Sequence, residues 1–365
     1  MRGRPNLPWE DAAGEGRGGS LVIPLRNPHD ALGPTAIALG SFDGLHEGHR
    51  RVIAAAVAGA RDTGSSLVPT VVSFWPHPRE VLFGEPRLRL DLPEEKLQLL
   101  QPLGIEQLVL VPFTPALAAL SPQAFVEQVL VGQLRAAVVA VGENFRFGVG
   151  RIGDTDTLIG LAATHGVRVQ VLPMLDDASG RLSSSRVRAA LAAGDLAEAA
   201  RLLGRPYRFG GRVVRGRGLG RQLGWPTANL QVDGRKFLPQ EGVYAAWAWR
   251  LDDDTAQPDA QATKVPVPLP AVMNLGPQPT VDPTAPSAVE VHLLGLNTEL
   301  TGADLLVEPV ALLRHQQRFA GLDALVAQIG ADAAQAQALL GSAGGIGVGE
   351  APADERSDRP QQQNP

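Results

Sequence analysis

A parallel, Rossmann-like α/β sheet followed by a mainly β barrel or sandwich and a closing helix is the architecture that the sequence predicts. Between Thr35 and Leu172 short apolar runs alternate with helical patterns, the signature of a parallel sheet covered by helices. After Ser183 the apolar runs become frequent, short and bounded by Gly and Pro, as in small all-β folds. At 365 residues the chain also exceeds what one hydrophobic core usually serves, so two domains are expected.

In the first half, strands are expected at 36–39, 67–74, 107–111, 137–141 and 167–172, with helices at 48–61, 94–103, 122–134 and 155–165. Ser121 and Pro122 supply an N-cap and a first-turn proline to the third helix. In the second half, helices at 185–193 and 196–203 precede strands at 207–215, 243–251, 267–274, 288–294 and 305–312, and an Ala- and Leu-rich helix at 322–340 closes the fold. The acidic stretch 252–261 reads as a solvated hairpin loop. Domains are therefore placed at 34–200 and 201–340, flanked by a disordered extension at 1–33 and a disordered tail at 341–365.

Composition removes several function classes. A net charge of −5 argues against bulk nucleic-acid or membrane-surface binding, and the absence of cysteine excludes disulfides, thiolate metal sites and cysteine nucleophiles. No stretch approaches the roughly 18 consecutive apolar residues of a membrane span, and residues 1–20 lack the apolar core of a secretory signal. Cytoplasm is the expected compartment, with no nucleic-acid or membrane partner and the oligomeric state left open.

Residues 38–49, Ala-Leu-Gly-Ser-Phe-Asp-Gly-Leu-His-Glu-Gly-His, fall where the first main strand turns into the first helix. A strand's carboxyl end and a helix N-terminus together offer free N–H groups to an anion. The glycines let backbone approach a phosphate, and His46 and His49 can donate to oxygens that gain charge when a nucleotide α-phosphorus is attacked. A surface loop or a metal pair are the alternatives, although no further Cys or carboxylate cluster nearby completes a zinc set. Phe74-Trp75-Pro76-His77-Pro78 and the loop 141–148 around Asn144 could hold a flat heterocycle; a proline-fixed turn and a core-packed loop are equally open. Ser183-Ser184-Ser185-Arg186-Val187-Arg188 opens a helix with hydroxyls and guanidinium groups that suit a triphosphate, or simply an N-cap.

These four segments, in this order, resemble the bacterial bifunctional riboflavin kinase/FAD synthetase family, with its G-x-F-D-G-x-H-x-G-H turn, F-x-P-H-P, V-G-x-[DN]-F-x-F-G and S-S-[TS]-x-[IV]-R. The resemblance implies a nucleotidyltransferase domain in which the phosphate of FMN attacks the α-phosphorus of ATP, forming FAD and releasing pyrophosphate. It assigns His46 and His49 to catalysis at the ATP phosphates, Gly40, Phe42, Asp43, Gly48, Ser184 and Arg188 to ATP, and Phe74, His77 and Asn144 to the flavin. Ser185 stands where Thr is usual in the last motif.

The second half carries Gly216-Arg217-Gly218-Leu219-Gly220-Arg221, a loop able to wrap a polyphosphate but lacking the Gly-Lys-[Ser/Thr] ending of a Walker loop. In Pro226-Thr227-Ala228-Asn229 a hydroxyl and an amide two residues apart on an extended chain point the same way and can share one Mg²⁺ with phosphate oxygens. Glu290 is the acidic member of an otherwise apolar run, either desolvated for a purpose or on the solvent face. The same family's kinase domain reads L-G-R-P-Y, G-R-x-[LI]-G-x-P-T-A-N, P-x-x-G-V-Y, N-x-G-x-x-P-T and E-V-H-L, matched at 203–207, 220–229, 239–244, 274–280 and 290–293. The resemblance implies a riboflavin-kinase barrel that moves the γ-phosphoryl of ATP to riboflavin, giving FMN. Gly220, Thr227 and Asn229 would hold Mg²⁺–ATP, Glu290 would accept the hydroxyl proton, and Arg314 would sit near the flavin.

Two positions depart from that pattern: Arg215 stands where His is usual and Thr301 where Tyr is. An adenylyltransferase whose β-domain only binds flavin is one rival, but it would require loss of Thr227, Asn229 or Glu290, and all three remain. A flavin-sensing or RNA-binding protein is the other; it would want a basic, aromatic face in a chain that is acidic and 5% aromatic.

Overall fold

The computed structural model describes residues 23–62, 66–216, 218–251, 267–276, 289–296 and 298–343. The expectations for 1–22, the 252–261 hairpin loop, Pro279-Thr280 and 344–365 lie outside the described residues. The chain forms two compact units, one of Met1–Arg87 and Asp91–Leu182, the other of Leu88–Leu90 and Ser183–Pro365.

In the first unit the elements run β1 (Leu25–Arg26), β2 (Thr35–Leu39), α1 (Glu47–Asp62), β3 (Val68–Trp75), α2 (Pro78–Phe83), α3 (Pro93–Leu100), β4 (Gln107–Pro112), α4 (Pro115–Ala118), α5 (Pro122–Phe125), β5 (Ala136–Gly142), α6 (Thr155–Ala163), β6 (Arg168–Leu172) and the short hairpin β7 (Asp176–Asp177) and β8 (Gly180–Arg181). Six strands pair parallel in the order β1-β4-β3-β2-β5-β6. Alternate strand residues feed opposite layers, as the pleat requires. Ile37, Leu39, Val109 and Val139 pack with Phe125, Leu130 and Leu158 on one face, while Ala38, Val71, Leu108 and Ala140 pack with Val52, Ile53 and Ala56 of α1 on the other. The helix expected over 122–134 is α only to Phe125; Val126–Gln133 winds as a wider π-helix. Gly132 permits this, because a Cβ there would stand 3.1 Å from the Glu127 carbonyl oxygen.

The second unit contains α7 (Ser184–Ala192), α8 (Leu196–Leu203), β9 (Phe209–Val214), α9 (Leu219–Gln222), β10 (Ala228–Gln231), β11 (Gly242–Arg250), β12 (Leu269–Leu275), β13 (Val289–Leu293), β14 (Asp304–Arg314) and α10 (Leu322–Ala343). Its six strands close into an antiparallel barrel, β10-β13-β12-β11-β14-β9, so the barrel alternative is the one realised. Leu230, Met273, Val291, Leu305 and Val307 are buried at alternate positions. On an outer face, Ala333, Ala336 and Leu340 of α10 pack against Ala245, Val272 and Leu313. The closing helix runs on through Ala343, past the expected end at 340. The sequence reading drew the domain junction at 200/201, whereas the compact units group α7 and α8 with the barrel, where Gln240 N donates to the Leu191 carbonyl at 2.9 Å.

Leu88–Leu90 belongs to this second unit although it comes from early in the chain. Arg89 pairs with Lys236 as an isolated parallel bridge, the fully buried Lys236 ammonium donates to the Leu90 carbonyl at 2.6 Å, and Arg188 donates to the Leu88 carbonyl at 3.2 Å. Lys236 also lies 4.8 Å from the Tyr207 ring centroid, where the aromatic face helps offset the cost of burying its charge. No helix among the described residues is long and apolar enough to cross a membrane.

Candidate active sites in the two units

In the first unit, the chain steps from β2 to β3 and β4 on one side and then returns to β5 on the other. The carboxyl ends of β2 and β5 flank that reversal, the position at which parallel α/β sheets bind ligands. The two loops that emerge there are the 40–46 turn and the 143–148 loop. The turn is sharply folded: Phe42 (φ 45°) and Leu45 (φ 46°) occupy the left-handed region that non-glycine residues rarely adopt. Asp91 braces it, accepting from Gly44 N at 2.9 Å and donating its own N–H to Asp43 at 3.2 Å.

This turn delivers His46 and His49 to the start of α1, where Arg50 N bonds the His46 carbonyl at 3.0 Å. The two imidazoles stack at 3.7 Å between centroids, and the Nδ1 atoms of both are buried without a partner among the described residues. Gly48 leaves room for this arrangement, since a Cβ would stand 3.2 Å from the His46 ring; at Gly40 it would meet the Phe42 ring at the same distance. Burial, then Arg50 and Arg181, push His46 down to about 4 against an opposing pull from Asp43. Burial, His46 and Lys96 hold His49 well below the ordinary histidine value. Both rings are neutral near pH 7 and surrounded by cations, beside the unsatisfied N–H groups of a helix terminus. An incoming polyanion would meet complementary charge and unused ring nitrogens.

Of the flavin candidates, Asn144 is exposed on the β5 loop, whereas Phe145 and Phe147 pack into the core and Phe147 pairs with Gly153. Asp154 caps α6 through Thr157 N at 2.9 Å. Phe74 is half-buried and edge-on to Phe113. His77 caps α2, its Nδ1 accepting from Arg79 N at 3.1 Å. Sequence reading missed Asp91, Lys96, Arg50 and Arg181, whose relevance comes only from folding; Lys96 donates to the Ser41 carbonyl at 3.2 Å.

Ser184 and Arg188 lie in the second unit. Ser183, not Ser184, caps α7, and Arg188 donates to the carbonyls of Ser184 and Leu88 while lying over the Phe237 ring.

The barrel presents its polar residues in a row. Asn229 of β10 pairs in register with Glu290 of β13, which pairs with Asn274 of β12, so three polar side chains share one sheet face. The Glu290 carboxylate makes no hydrogen bond or ion pair with another described residue, and the Asn274 side chain accepts from Gln316 at 2.7 Å. Beside this row a cavity of about 470 Å³ is lined by Thr227, Asn229, Gly216, Gly218, Arg215, Arg221, Glu299 and Thr301 among others, placing both departures from the family pattern on its walls. Gly220 packs on Thr227, where a Cβ would meet Oγ1 at 3.1 Å. His292, given no role from sequence, donates Nδ1–H to the Pro226 carbonyl at 2.7 Å and so anchors the residue before Thr227. Arg314 is engaged by Asp332, with Nε and Nη2 donating at 2.9–3.1 Å, and it ties β14 to α10.

Comparison with known proteins joins these two constellations. The family described as FAD synthetase matches residues 29–186, and that described as riboflavin kinase matches 203–340. A bifunctional riboflavin kinase/FMN adenylyltransferase of Escherichia coli K12 is 38% identical over 84% of this chain and 92% of its own length. The protein of the same description from Pseudomonas fluorescens is 38% identical over 87% and 97%. A solved structure described as a macrolide-efflux protein from Streptococcus pneumoniae matches at TM-score 0.72 and 27% identity, over 87% of this chain and 99% of that one. With both halves matched in order and its relatives aligned along nearly their whole lengths, the chain belongs to the bifunctional riboflavin kinase/FMN adenylyltransferase family.

Proposed function

We propose that FMN forms at the barrel row and its adjoining cavity, and that FAD forms at the His46/His49 turn. The register pairing of Asn229 with Glu290 supports the kinase half of this reading, since Asn229 lines the cavity and Glu290 is its neighbour on the next strand. The ribityl hydroxyl of riboflavin attacks the γ-phosphorus of ATP, its proton passes to Glu290, and the bond to the β-phosphate oxygen breaks to release ADP. Thr227 and Asn229 offer the hard oxygen ligands that suit Mg²⁺ arriving with ATP. No group of three or more His, Cys, Asp or Glu able to hold a metal occurs among the described residues; Mg²⁺ in phosphoryl-transfer sites usually keeps several waters and substrate phosphates among its ligands. When bound, Mg²⁺ supplies charge neutralisation at the phosphate oxygens.

In the adenylyl step a phosphate oxygen of FMN attacks the α-phosphorus and pyrophosphate leaves, so no proton need be removed. The buried imidazoles and the α1 N-terminus are suited to donating to the oxygens that gain charge. Gly40, Phe42, Asp43 and Gly48 shape that turn; Asn144, with Phe74 and His77, forms the flavin side. Ser184 and Arg188 as triphosphate ligands, and Arg314 beside riboflavin, belong to the same proposal. ATP, riboflavin and FMN are the small-molecule partners, and the cytoplasm is the proposed compartment because both reactions draw on ATP.

The test separates the reactions by their starting flavin. Glu290→Gln is expected to lower FMN formation from riboflavin by about 10²- to 10⁴-fold and to spare FAD formation from supplied FMN. His49→Ala is expected to do the reverse, with a loss of about 10²-fold or more. If each folded variant lost both activities together, the two-site assignment would be wrong.

A further inference from the structure

Among the described residues, two arginines in different states line the barrel cavity. Arg221, from α9, is engaged: its Nη2 donates to Glu299 Oε2 at 2.7 Å. Glu299 is held further by Thr301, whose hydroxyl donates to Oε1 at 2.5 Å, and these donors together push its carboxyl down to about 2. Arg221 and Glu299 therefore cancel each other at the cavity wall. Arg215 makes no hydrogen bond or ion pair with another described residue, yet it lines the same cavity. It directly follows Val214, the register partner of Asn229, and directly precedes Gly216, where a Cβ would stand 2.1 Å from the Asn229 amide. Arg215 is thus tied by backbone geometry to a residue proposed above for Mg²⁺–ATP.

We propose that Arg215 binds the polyphosphate of the kinase substrate and sets the affinity of the FMN-forming site for ATP. This rests on the reading of Thr227 and Asn229 as nucleotide ligands. Arg215 is exposed, so its contribution is moderate and screened by salt. Its guanidinium offers planar paired donors to phosphate, while a lysine would keep the charge alone.

The full chain serves as its own control, because both reactions use ATP. In Arg215→Gln, the KM for ATP in FMN formation from riboflavin is expected to rise about three- to tenfold. The kcat should stay within about twofold, the KM difference should shrink as ionic strength rises, and the KM for ATP in FAD formation from FMN should not change. Arg215→Lys should recover most of the affinity. An unchanged KM in Arg215→Gln, with Asn229→Ala still impairing FMN formation, overturns this inference and leaves the cavity as the nucleotide site. If Asn229→Ala also leaves FMN formation intact, the cavity reading fails and the inference fails with it. An equal rise in both Arg215 variants, accompanied by a fall in kcat, would mean that Arg215 acts through packing, and would likewise overturn it.

Discussion

His46 and His49 are uncharged because the fold buries them among cations, and this links the first unit's stability to acidity. An unfolded histidine takes up a proton near pH 6.5, while folded His46 does so only near 4 and folded His49 well below the ordinary histidine value. Below about pH 6.5 the unfolded chain therefore binds protons that the folded unit refuses, and stability falls with falling pH. Above that pH the contribution is fully present. Denaturant melts of the first-unit transition between pH 7 and 5 should fall more steeply for the natural chain than for His46→Asn/His49→Asn, by up to about one proton per histidine. Equal slopes would show that the rings are not held neutral. Two histidines in one glycine-rich turn were conspicuous in the sequence; Asp91, which braces that turn, and Lys96 were not. Their relevance depends on a return of the chain that no local pattern encodes.

At the scale of elements, legibility followed length and regularity. Apolar runs such as Gln107–Pro112 and Gly242–Arg250 were readable as strands because each is continuous and bounded by turn residues. Ala228–Gln231 was not assigned as a strand: it spans four residues, and its identity comes from pairing with β9 and β13. The helix α2 was hidden behind two prolines, and α9 inside a glycine-rich loop. That loop yields a sharper expectation than flexibility. Gly216 lies so close to Asn229 that Gly216→Ala must displace the amide from the cavity wall. FMN formation should drop about tenfold or more, FAD formation from FMN should be unaffected, and both flavins can be followed chromatographically. Unchanged FMN formation would mean that Asn229 works from another position.

For the whole molecule, the α/β-then-β order was legible from periodicity, while the membership of Leu88–Leu90 was not, because a three-residue excursion leaves no periodic trace. Its energetic signature should be measurable through Lys236. The Lys236→Met substitution is expected to be more favourable, by about 2 kcal/mol, in a fragment of residues 183–343 than in the full chain, since only the full chain supplies the Leu90 carbonyl. Equal effects on the melting of both would show that this acceptor contributes nothing.

The same three residues bear on inheritance. A recombination event that moved the coding region from Ser183 onward would leave behind the carbonyls that receive Lys236 and Arg188. A kinase half transferred in that way would lack two hydrogen bonds that the full chain makes, since their acceptors are encoded far upstream of the rest of its unit.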